Sequence, residues 1–219
     1  MNCLYNLNEG YLFNANTTAC VEMEDGVNEH GLAAGLTFVY PRIGKPGFNA
    51  GMLIRYILEK CKTTDEAISI LYALPIASSQ TVTLTDKQGY IAVVECNPEN
   101  IVVIRPEEGQ MFVATANNYN SELMREYRNP DIDDWKADER YINSVNALKN
   151  KEDEYSVDYM KSILSGRHGF MCQYEKKKNI DTVWSVVYDL KRKQIWRVEG
   201  NPSRRIFILD ARVKGFFKY

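Results

Sequence analysis

The sequence has little histidine, and this scarcity narrows the chemistry that it can perform. His30 and His168 are the two histidines in 219 residues. His30 stands in a polar turn and His168 between glycine-containing loop residues, so we expect surface or loop positions rather than catalytic bases. Two isolated histidines without carboxylates at ligand spacing rarely build a metal site. We therefore expect no metal and no cofactor, and a Ser-His-Asp triad only if one of these two residues serves as its base.

Paired cysteines and long apolar runs are also lacking. The five cysteines lie far apart, form no Cys-x-x-Cys pair and are odd in number. This arrangement argues against a zinc cage and against a closed disulfide framework. No leading apolar segment is typical of a signal peptide, and no run approaches the length of a membrane span. The sequence therefore predicts a cytoplasmic protein that does not contact a membrane.

Neither charge is in large excess. Charged residues make up 26% of the chain and the formal net charge is -2, so no overall field attracts nucleic acid or an anionic membrane. The run Lys176-Lys177-Lys178 is predicted to be a solvated hairpin tip. A nucleic-acid contact is the alternative, but no interleaved aromatic residues support it. We expect a small-molecule partner and no nucleic acid.

The hydrophobic pattern predicts blocks of strands that alternate with blocks of helices. The predicted strands cover residues 18–23, 31–39, 81–85, 90–96, 101–104, 111–116, 182–190, 194–198 and 206–209, and the first two form a hairpin. The predicted helices cover residues 49–61, 63–74, 136–150 and 157–164. Segregated blocks of this kind indicate antiparallel sheets covered by helices. We predict an α+β fold, a four-layer αββα sandwich of antiparallel sheets, in a single domain over residues 1–219.

The motifs of several enzyme classes are missing, and a set of amide side chains remains. The chain has no GxGxxG, GxxxxGK[ST], HExxH or GxSxG motif,. Asn28 lies in a turn between strands, and Asn117 follows a predicted strand. Amides held on rigid strands can act as oxyanion-hole donors because they stabilise charge on an attacked carbonyl without titrating. The alternative for both is a structural role in turns.

Several stretches resemble one known family. They are MEDGVNEHGL at residues 23–32, GLTF at 35–38, FVATANNY at 112–119 and WSVVYD at 184–189. They are similar to the N-terminal-nucleophile hydrolases of the isopenicillin N acyltransferase branch, with choloylglycine hydrolases and penicillin V acylases as more distant relatives. The resemblance implies the αββα sandwich and cleavage or transfer at linear carbon–nitrogen amide bonds. In that family the N-terminal cysteine attacks, and its own α-amino group is the base.

The resemblance also implies roles for individual residues. Asn28 matches the family's asparagine beside the oxyanion, and Asn117 matches its second amide in that region. Thr37 and Phe38 fall where the family lines the acyl pocket. Gln173 stands where better-known relatives carry an arginine, and a neutral amide there binds a carboxylate less well. We predict Asn28 and Asn117 as catalytic residues and Thr37, Phe38 and Gln173 as substrate-binding residues.

The start of the chain departs from the family pattern. The first cysteine, Cys3, is followed by Leu4 and Tyr5, and the first arginine is Arg42. Removal of the initiator methionine would leave Cys3 internal, with an amide nitrogen that cannot take a proton. We therefore expect that Cys3 is not the nucleophile.

The simplest account is that the sequence is the family's catalytic domain without its first segment. We predict a hydrolase or acyltransferase lineage acting on linear amide bonds, in which this chain lacks the nucleophile. Loss of a nucleophile strand would bare a sheet edge, and we expect a homo-oligomer to cover it. The alternative is a non-catalytic protein on the same fold that binds a small molecule or a partner.

Overall fold

The computed structural model describes residues 1–132, 135–151, 155–175, 177, 179–213 and 215–219. The chain divides into two compact units, Met1–Ala137 with Gly215–Tyr219, and Asp138–Lys214. We call these the first and the second unit; the prediction of a single domain stays a prediction. Lys176 and Lys178 of the lysine run lie outside the described residues. In the described part of the chain, no helix is long and apolar enough to cross a membrane.

The first unit is built on a seven-stranded antiparallel sheet in which every strand pairs with its neighbours in chain order. Short turns can join adjacent antiparallel strands, but a long segment that carries two helices joins the fourth strand to the fifth,. The strands are β1 (Asn2–Tyr5), β2 (Phe13–Asn16), β3 (Asp25–Asn28), β4 (Leu32–Phe38), β5 (Gln80–Asp86), β6 (Ile91–Cys96) and β7 (Ile101–Ile104).

Two helices follow β4, and side chains cap both of them. The helices are α1 (Ala50–Lys60) and α2 (Thr64–Ala73), as predicted from the sequence. Asn49 accepts a hydrogen bond from the Met52 amide at 2.9 Å, and Thr63 accepts one from the Glu66 amide at 3.2 Å. These caps satisfy N–H groups that have no partner inside the helix. A short helix, α3 (Glu122–Arg125), follows later in this unit.

Alternation along the strands gives the sheet two different faces. One face is apolar and packs in a buried core with α1 and α2, through residues such as Ala34, Val82 and Val94. Side chains one position away project to the opposite face. There the strands carry polar residues, and we call this the polar face; its members are Asn14, Asn16, Asp25, Thr37, Thr81 and Glu95.

The second unit holds a smaller antiparallel sheet and two helices. Its strands are β8 (Trp184–Asp189), β9 (Gln194–Glu199) and β10 (Ile208–Leu209), with β9 in the middle. The helices are α4 (Ala137–Lys149), which begins at the last residue of the first unit's main segment, and α5 (Val157–Leu164). The Lys161 ammonium lies 3.5 Å from the centre of the Trp196 ring, which ties α5 to β9,.

The structure confirms the predicted helices α1, α2, α4 and α5 and the predicted strands from β5 to β7 and from β8 to β10, with small shifts of boundary. The predicted strand at residues 18–23 is wrong. That segment turns, with Cys20 at a φ of 53°, and the strand that pairs with β4 lies at Asp25–Asn28. β1 and β2 were not predicted because their Asn-rich sequence shows little overall periodicity.

The prediction of a strand at residues 111–116 is also wrong. This segment joins no ladder and has no regular secondary structure. Side chains rather than backbone groups attach its end to the sheet, as described below. An alternating apolar pattern identifies an extended, half-buried segment, but it does not distinguish a paired strand from one that is held by side chains.

Candidate functional site

Polar side chains form a row across the polar face near the end of β4. Thr37 of β4 lies opposite Thr81 of β5, and Thr81 lies opposite Glu95 of β6. Thr81 and Glu95 are fully buried. The Thr81 and Thr115 hydroxyl oxygens lie 3.1 Å apart and share a hydrogen bond. This bond attaches the segment after β7 to the centre of the row.

Glu95 fixes the far end of the same segment. Its buried carboxylate accepts hydrogen bonds from the Asn120 amide at 2.5 Å, the Ser121 amide at 3.1 Å and the Ser121 hydroxyl at 2.5 Å. Hydrogen bonds to a charged acceptor are stronger than those between neutral groups. The carboxylate therefore holds residues 120–121 against β6.

Tyr119 adds a further anchor. Its side chain is fully buried, and its hydroxyl donates to the Cys96 carbonyl oxygen at 2.7 Å. Burial raises the pKa of the Tyr119 phenol. The phenol therefore stays protonated and remains a hydrogen-bond donor at neutral pH. Between Thr115 and Ser121, the backbone is thus fixed at three points, and Asn117 lies within this fixed stretch.

Asn117 lies at the end of β4. Its Nδ2 donates to the Phe38 carbonyl oxygen at 2.8 Å. The bond sets the orientation of the amide relative to the last residue of β4, so Asn117 has the rigid presentation that an oxyanion donor requires.

Asn28 lies at the opposite end of β4, and the structure does not bring it together with Asn117. Its fully buried amide donates to the carbonyl oxygens of Leu58 and Cys61 at 3.1 and 2.7 Å. Its Oδ1 accepts from the amides of His30 and Leu32, both at 3.1 Å. The amide joins the β3–β4 turn to the end of α1. These contacts are those of a side chain with a structural role in a turn.

Thr37 and Phe38 are adjacent on β4 and therefore project to opposite faces of the sheet. Thr37 belongs to the polar face, on the side of Thr81 and Glu95. Phe38 is 37% exposed and makes an edge-to-face contact with Tyr40, with ring centres 5.2 Å apart. Tyr40 in turn stacks on Trp135 at 5.4 Å. An aromatic surface therefore lies beside the carbonyl that Asn117 contacts.

Gln173 lies in the second unit, where its amide holds a loop. Its Oε1 accepts from the Met171 and Cys172 amides at 2.8 and 3.0 Å, and its Nε2 donates to the Gly166 carbonyl at 2.8 Å. These contacts bind the ends of a glycine-containing loop together. The predicted role of Gln173 in substrate binding stays a prediction.

Sequence reasoning missed a buried network of amides on the polar face. The Asn2 amide donates to the Asn16 side chain at 2.9 Å, and the Asn16 amide donates to the Asp25 carboxylate at 2.6 Å. Asn14, which is fully buried, exchanges hydrogen bonds with Asn2. The alternation Phe13-Asn14-Ala15-Asn16 is the signal that could have revealed it, because period-two alternation of apolar and polar residues is typical of a strand.

Three of the four cysteines of the first unit lie away from the polar face. Cys3 is opposite Ala15, whose side chain belongs to the helix-packed core. Cys61 and Cys96 are in that core, and burial raises the pKa of each thiol to about 12. Cys20 is exposed in the turn before β3. Among the residues that the structure describes, no three histidine, cysteine or carboxylate side chains form a group that could hold a metal ion.

The fold defines the class to which the chain belongs. Penicillin V acylase from Agrobacterium tumefaciens matches with a TM-score of 0.60 and 20% identity, over 91% of this chain and 72% of that one. A variant of the conjugated bile acid hydrolase from Clostridium perfringens matches with a TM-score of 0.63 and 13% identity, over 97% and 82%. The chain therefore has the αββα fold of the N-terminal-nucleophile hydrolases, as predicted.

A third match is the Caenorhabditis elegans orthologue of N-acylethanolamine-hydrolyzing acid amidase, with a TM-score of 0.56 and 15% identity, over 88% of this chain and 83% of that one. No curated protein sequence matches the chain. The model of the acyl-coenzyme A:6-aminopenicillanic acid acyl-transferase family matches residues 1–204. The chain belongs to this family. These findings support the coarser part of the prediction, a hydrolase or acyltransferase that acts on amide bonds.

Proposed function

We propose that this chain binds the acyl group and carbonyl of a linear amide at the end of β4, beside Phe38 and Asn117, within an amide hydrolase or acyltransferase lineage. The observation that carries the proposal is the family match over residues 1–204. The geometry at the end of β4 supports the choice of residues. The substrate class is a small-molecule acyl amide.

In this proposal Asn117 faces the carbonyl oxygen of the substrate. When a nucleophile attacks the carbonyl carbon, the oxygen gains negative charge, and a fixed N–H donor stabilises it without a change of protonation. Thr115, Tyr119 and Ser121 hold the surrounding backbone against the sheet, so little reorganisation is needed at the moment of attack. We assign Asn28 a structural role because both of its N–H groups donate to backbone carbonyls.

The acyl group lies against the aromatic surface of Phe38, Tyr40 and Trp135, beyond the end of β4. The two ring contacts, at 5.2 and 5.4 Å, provide an apolar wall beside the Asn117 contact. Such a wall favours an aromatic acyl group, since offset and edge-to-face ring contacts add to simple burial. A phenylacetyl group is therefore a suitable probe.

The attacking thiol is not Cys3 in this proposal. Cys3 lies in β1, the first strand of the sheet, which pairs with β2 and not with β4. β1 and β4 are also separated by three strand spacings, or roughly 14 Å. A thiol at this position cannot reach a carbonyl that is held by Asn117. The chain would then bind acyl amides without supplying the nucleophile.

We further propose that the chain forms a homo-oligomer through a strand edge. In the described part of the first unit, β1 and β7 end the sheet, and unpaired backbone groups at such edges favour pairing with another chain. Analytical ultracentrifugation tests this directly, since a monomer at micromolar concentration would contradict it. A cytoplasmic location stays a prediction.

Binding of neutral N-phenylacetylethanolamine, measured by calorimetry, tests the proposed site. Asn117→Ala is expected to weaken binding about tenfold, because one hydrogen bond to the carbonyl is lost. Phe38→Ala is expected to weaken it by a similar factor through loss of ring contact. Thr37→Val keeps the side-chain shape, and because Thr37 lies on the opposite face of β4 from Phe38, the affinity is expected to change little.

Two controls make the experiment specific. Asn146→Ala removes an exposed amide from α4 and should leave the affinity unchanged. Phenethyl alcohol keeps the ring but lacks the amide carbonyl, so its binding should not respond to Asn117→Ala. Equal losses in Asn117→Ala for both ligands would reject the carbonyl contact. Absence of binding by the unmodified protein would reject the site.

A further inference from the structure

The second unit contains a pocket that the proposed amide site does not use. Its cavity volume is about 580 Å³, within the range of roughly 300–1,000 Å³ that is typical of small-molecule sites. It lies beside β10 and the turn that follows β9. Its walls combine arginines with exposed aliphatic side chains. This combination provides both charged and apolar contacts within one concavity.

The aliphatic wall is exposed to an unusual degree. Ile206 is 80% exposed, Ile208 is 64% exposed and Leu209 is 42% exposed. They are near neighbours in the chain and line the same pocket. Scattered apolar residues on a surface need no explanation, but a contiguous group in a concavity marks a binding site.

Three of the four pocket arginines have carboxylate partners. Arg197 and Arg212 both pair with the buried carboxylate of Asp210, at 2.9 and 2.6 Å. Arg204 pairs with Asp181 at 2.6 Å. These guanidinium groups are therefore already neutralised in part and fix the shape of the wall.

Arg205 is the exception. Among the described residues, its guanidinium has no hydrogen-bond or ion-pair partner. The turn that carries it is rigid: the Arg204 and Arg205 amides both donate to the Asn201 carbonyl, and the Asn201 side chain donates to Asp181 at 2.7 Å. Gly200 has a φ of 85°, and a Cβ there would lie 3.2 Å from the Arg205 Nε. The stem of Arg205 therefore packs along the Gly200 backbone.

The charge of the pocket selects the sign of a ligand. The pocket and its ion-pair partners hold four guanidinium groups and three carboxylates, which are those of Asp181, Glu199 and Asp210. The local net charge is therefore positive. One cation that lacks a partner, beside an aliphatic wall, suits a ligand with one anionic group and an apolar tail. A guanidinium binds a carboxylate through two parallel hydrogen bonds.

We propose that this pocket binds a small anionic amphiphile, an acyl chain that ends in a carboxylate, with Arg205 holding the carboxylate and Ile206, Ile208 and Leu209 covering the chain. The site belongs wholly to the second unit. It is independent of the proposed amide site, so either can fail without the other.

Calorimetric titration with laurate below its micelle-forming concentration tests the proposal. Saturable binding is expected, with Arg205→Gln about tenfold weaker because a charge-assisted hydrogen bond is lost. Ile206→Asp is expected to weaken binding by at least as much, since it places a charge on the aliphatic wall. Glu199→Gln is expected to tighten binding by about two- to threefold, because it removes a like charge from the wall. Weaker binding in Arg205→Gln together with tighter binding in Glu199→Gln would distinguish a charge-selective pocket from an apolar surface.

Arg167→Gln is the matched control, because Arg167 is an exposed arginine in the same unit that does not line the pocket. The Arg167→Gln variant should bind laurate with the affinity of the unmodified protein. Each substituted residue is exposed, and circular dichroism verifies that the variants fold. Dodecyltrimethylammonium and dodecyl maltoside should bind more weakly than laurate. Equal binding of the three amphiphiles, an Arg205→Gln variant with unchanged affinity, or no binding of laurate would overturn the proposal. Binding to phosphatidylglycerol vesicles but not to free laurate would overturn it in favour of a membrane surface.

Discussion

Asn28 and Asn117 contact opposite ends of the same strand. The Oδ1 of Asn28 accepts from the Leu32 amide at the start of β4, and the Nδ2 of Asn117 donates to the Phe38 carbonyl at its end. A seven-residue strand separates these ends by about 20 Å. One carbonyl group cannot contact both amides. The two asparagines that sequence resemblance assigns to one reaction therefore have different environments, and they should respond differently to substitution.

Substitution of Asn28 should affect stability. Asn28→Ala removes four hydrogen bonds from a fully buried site and leaves the Leu58 and Cys61 carbonyls without this donor. We expect a loss of about 2–4 kcal/mol in the free energy of unfolding, measured by urea denaturation. Asn117→Ala, at a half-buried position, should lose much less. A stable Asn28→Ala protein that fails to bind the amide probe would contradict this assignment.

Glu95 should be needed for the order of the segment that carries Asn117. Glu95→Gln keeps the size of the side chain but removes the charge that receives three hydrogen bonds. We expect a loss of about 1–3 kcal/mol in stability and faster hydrogen exchange at the Asn120 and Ser121 amides. Glu99→Gln, which breaks an exposed ion pair with Lys45, is the control and should change stability little. Unchanged exchange in Glu95→Gln would show that other contacts hold the segment.

The five thiols should differ in reactivity. Burial raises the pKa of Cys61 and Cys96 to about 12 and also raises the pKa of Cys172. At about pH 8 few of these three thiols are ionised, and the thiolate is the reactive form. Alkylation of the native protein should label Cys20 first and Cys3 more slowly, and labelling in denaturant should reach all five, as measured by peptide mass spectrometry. Rapid native labelling of Cys96 would contradict the buried environment described above.

Asp210 should make the second unit sensitive to acid. Hydrogen bonds from Arg212 lower the pKa of this carboxyl from 3.8 to about 2, and the Arg197 charge adds to the effect. A folded-state pKa below the unfolded value stabilises the fold above about pH 4, and this contribution is lost as the pH falls towards 2. We expect it to be about 1–2 kcal/mol, measured by urea unfolding as a function of pH. Asp210→Asn should flatten the profile in this window, whereas Asp158→Asn, at an exposed position, should keep the slope of the unmodified protein.

Local signals predict the helices and most strands well. Asn49 and Thr63 cap helices where the sequence places them, because a cap depends on residues only three positions away. The β5–β6 hairpin was also predictable, because its two strands are close together in the chain. The segment after β7 was predicted as a strand because its side chains alternate, yet Thr115 is held by a hydroxyl on a strand more than thirty residues earlier. Such distant attachment has no local signature.

The candidate site could be predicted only in part. The stretch FVATANNY led to Asn117, and the structure places its Nδ2 2.8 Å from the Phe38 carbonyl oxygen; the catalytic role of Asn117 stays a prediction. The positions that hold Asn117 in place were missed, since the importance of Glu95 depends on backbone amides that reach it from another segment. Asn28 attracted attention by its sequence context, but two of its four hydrogen bonds go to the end of α1, which the local sequence does not specify.

The most direct test measures the release of ethanolamine from N-phenylacetylethanolamine by chromatography. The unmodified protein and the Cys3→Ala variant are compared. We predict that the unmodified protein binds this amide in an Asn117-dependent manner and that neither protein hydrolyses it, because β1, which carries Cys3, lies three strands from β4 and the proposed carbonyl position. Turnover by the unmodified protein that disappears in Cys3→Ala would contradict the account, and turnover that persists in both would contradict it equally.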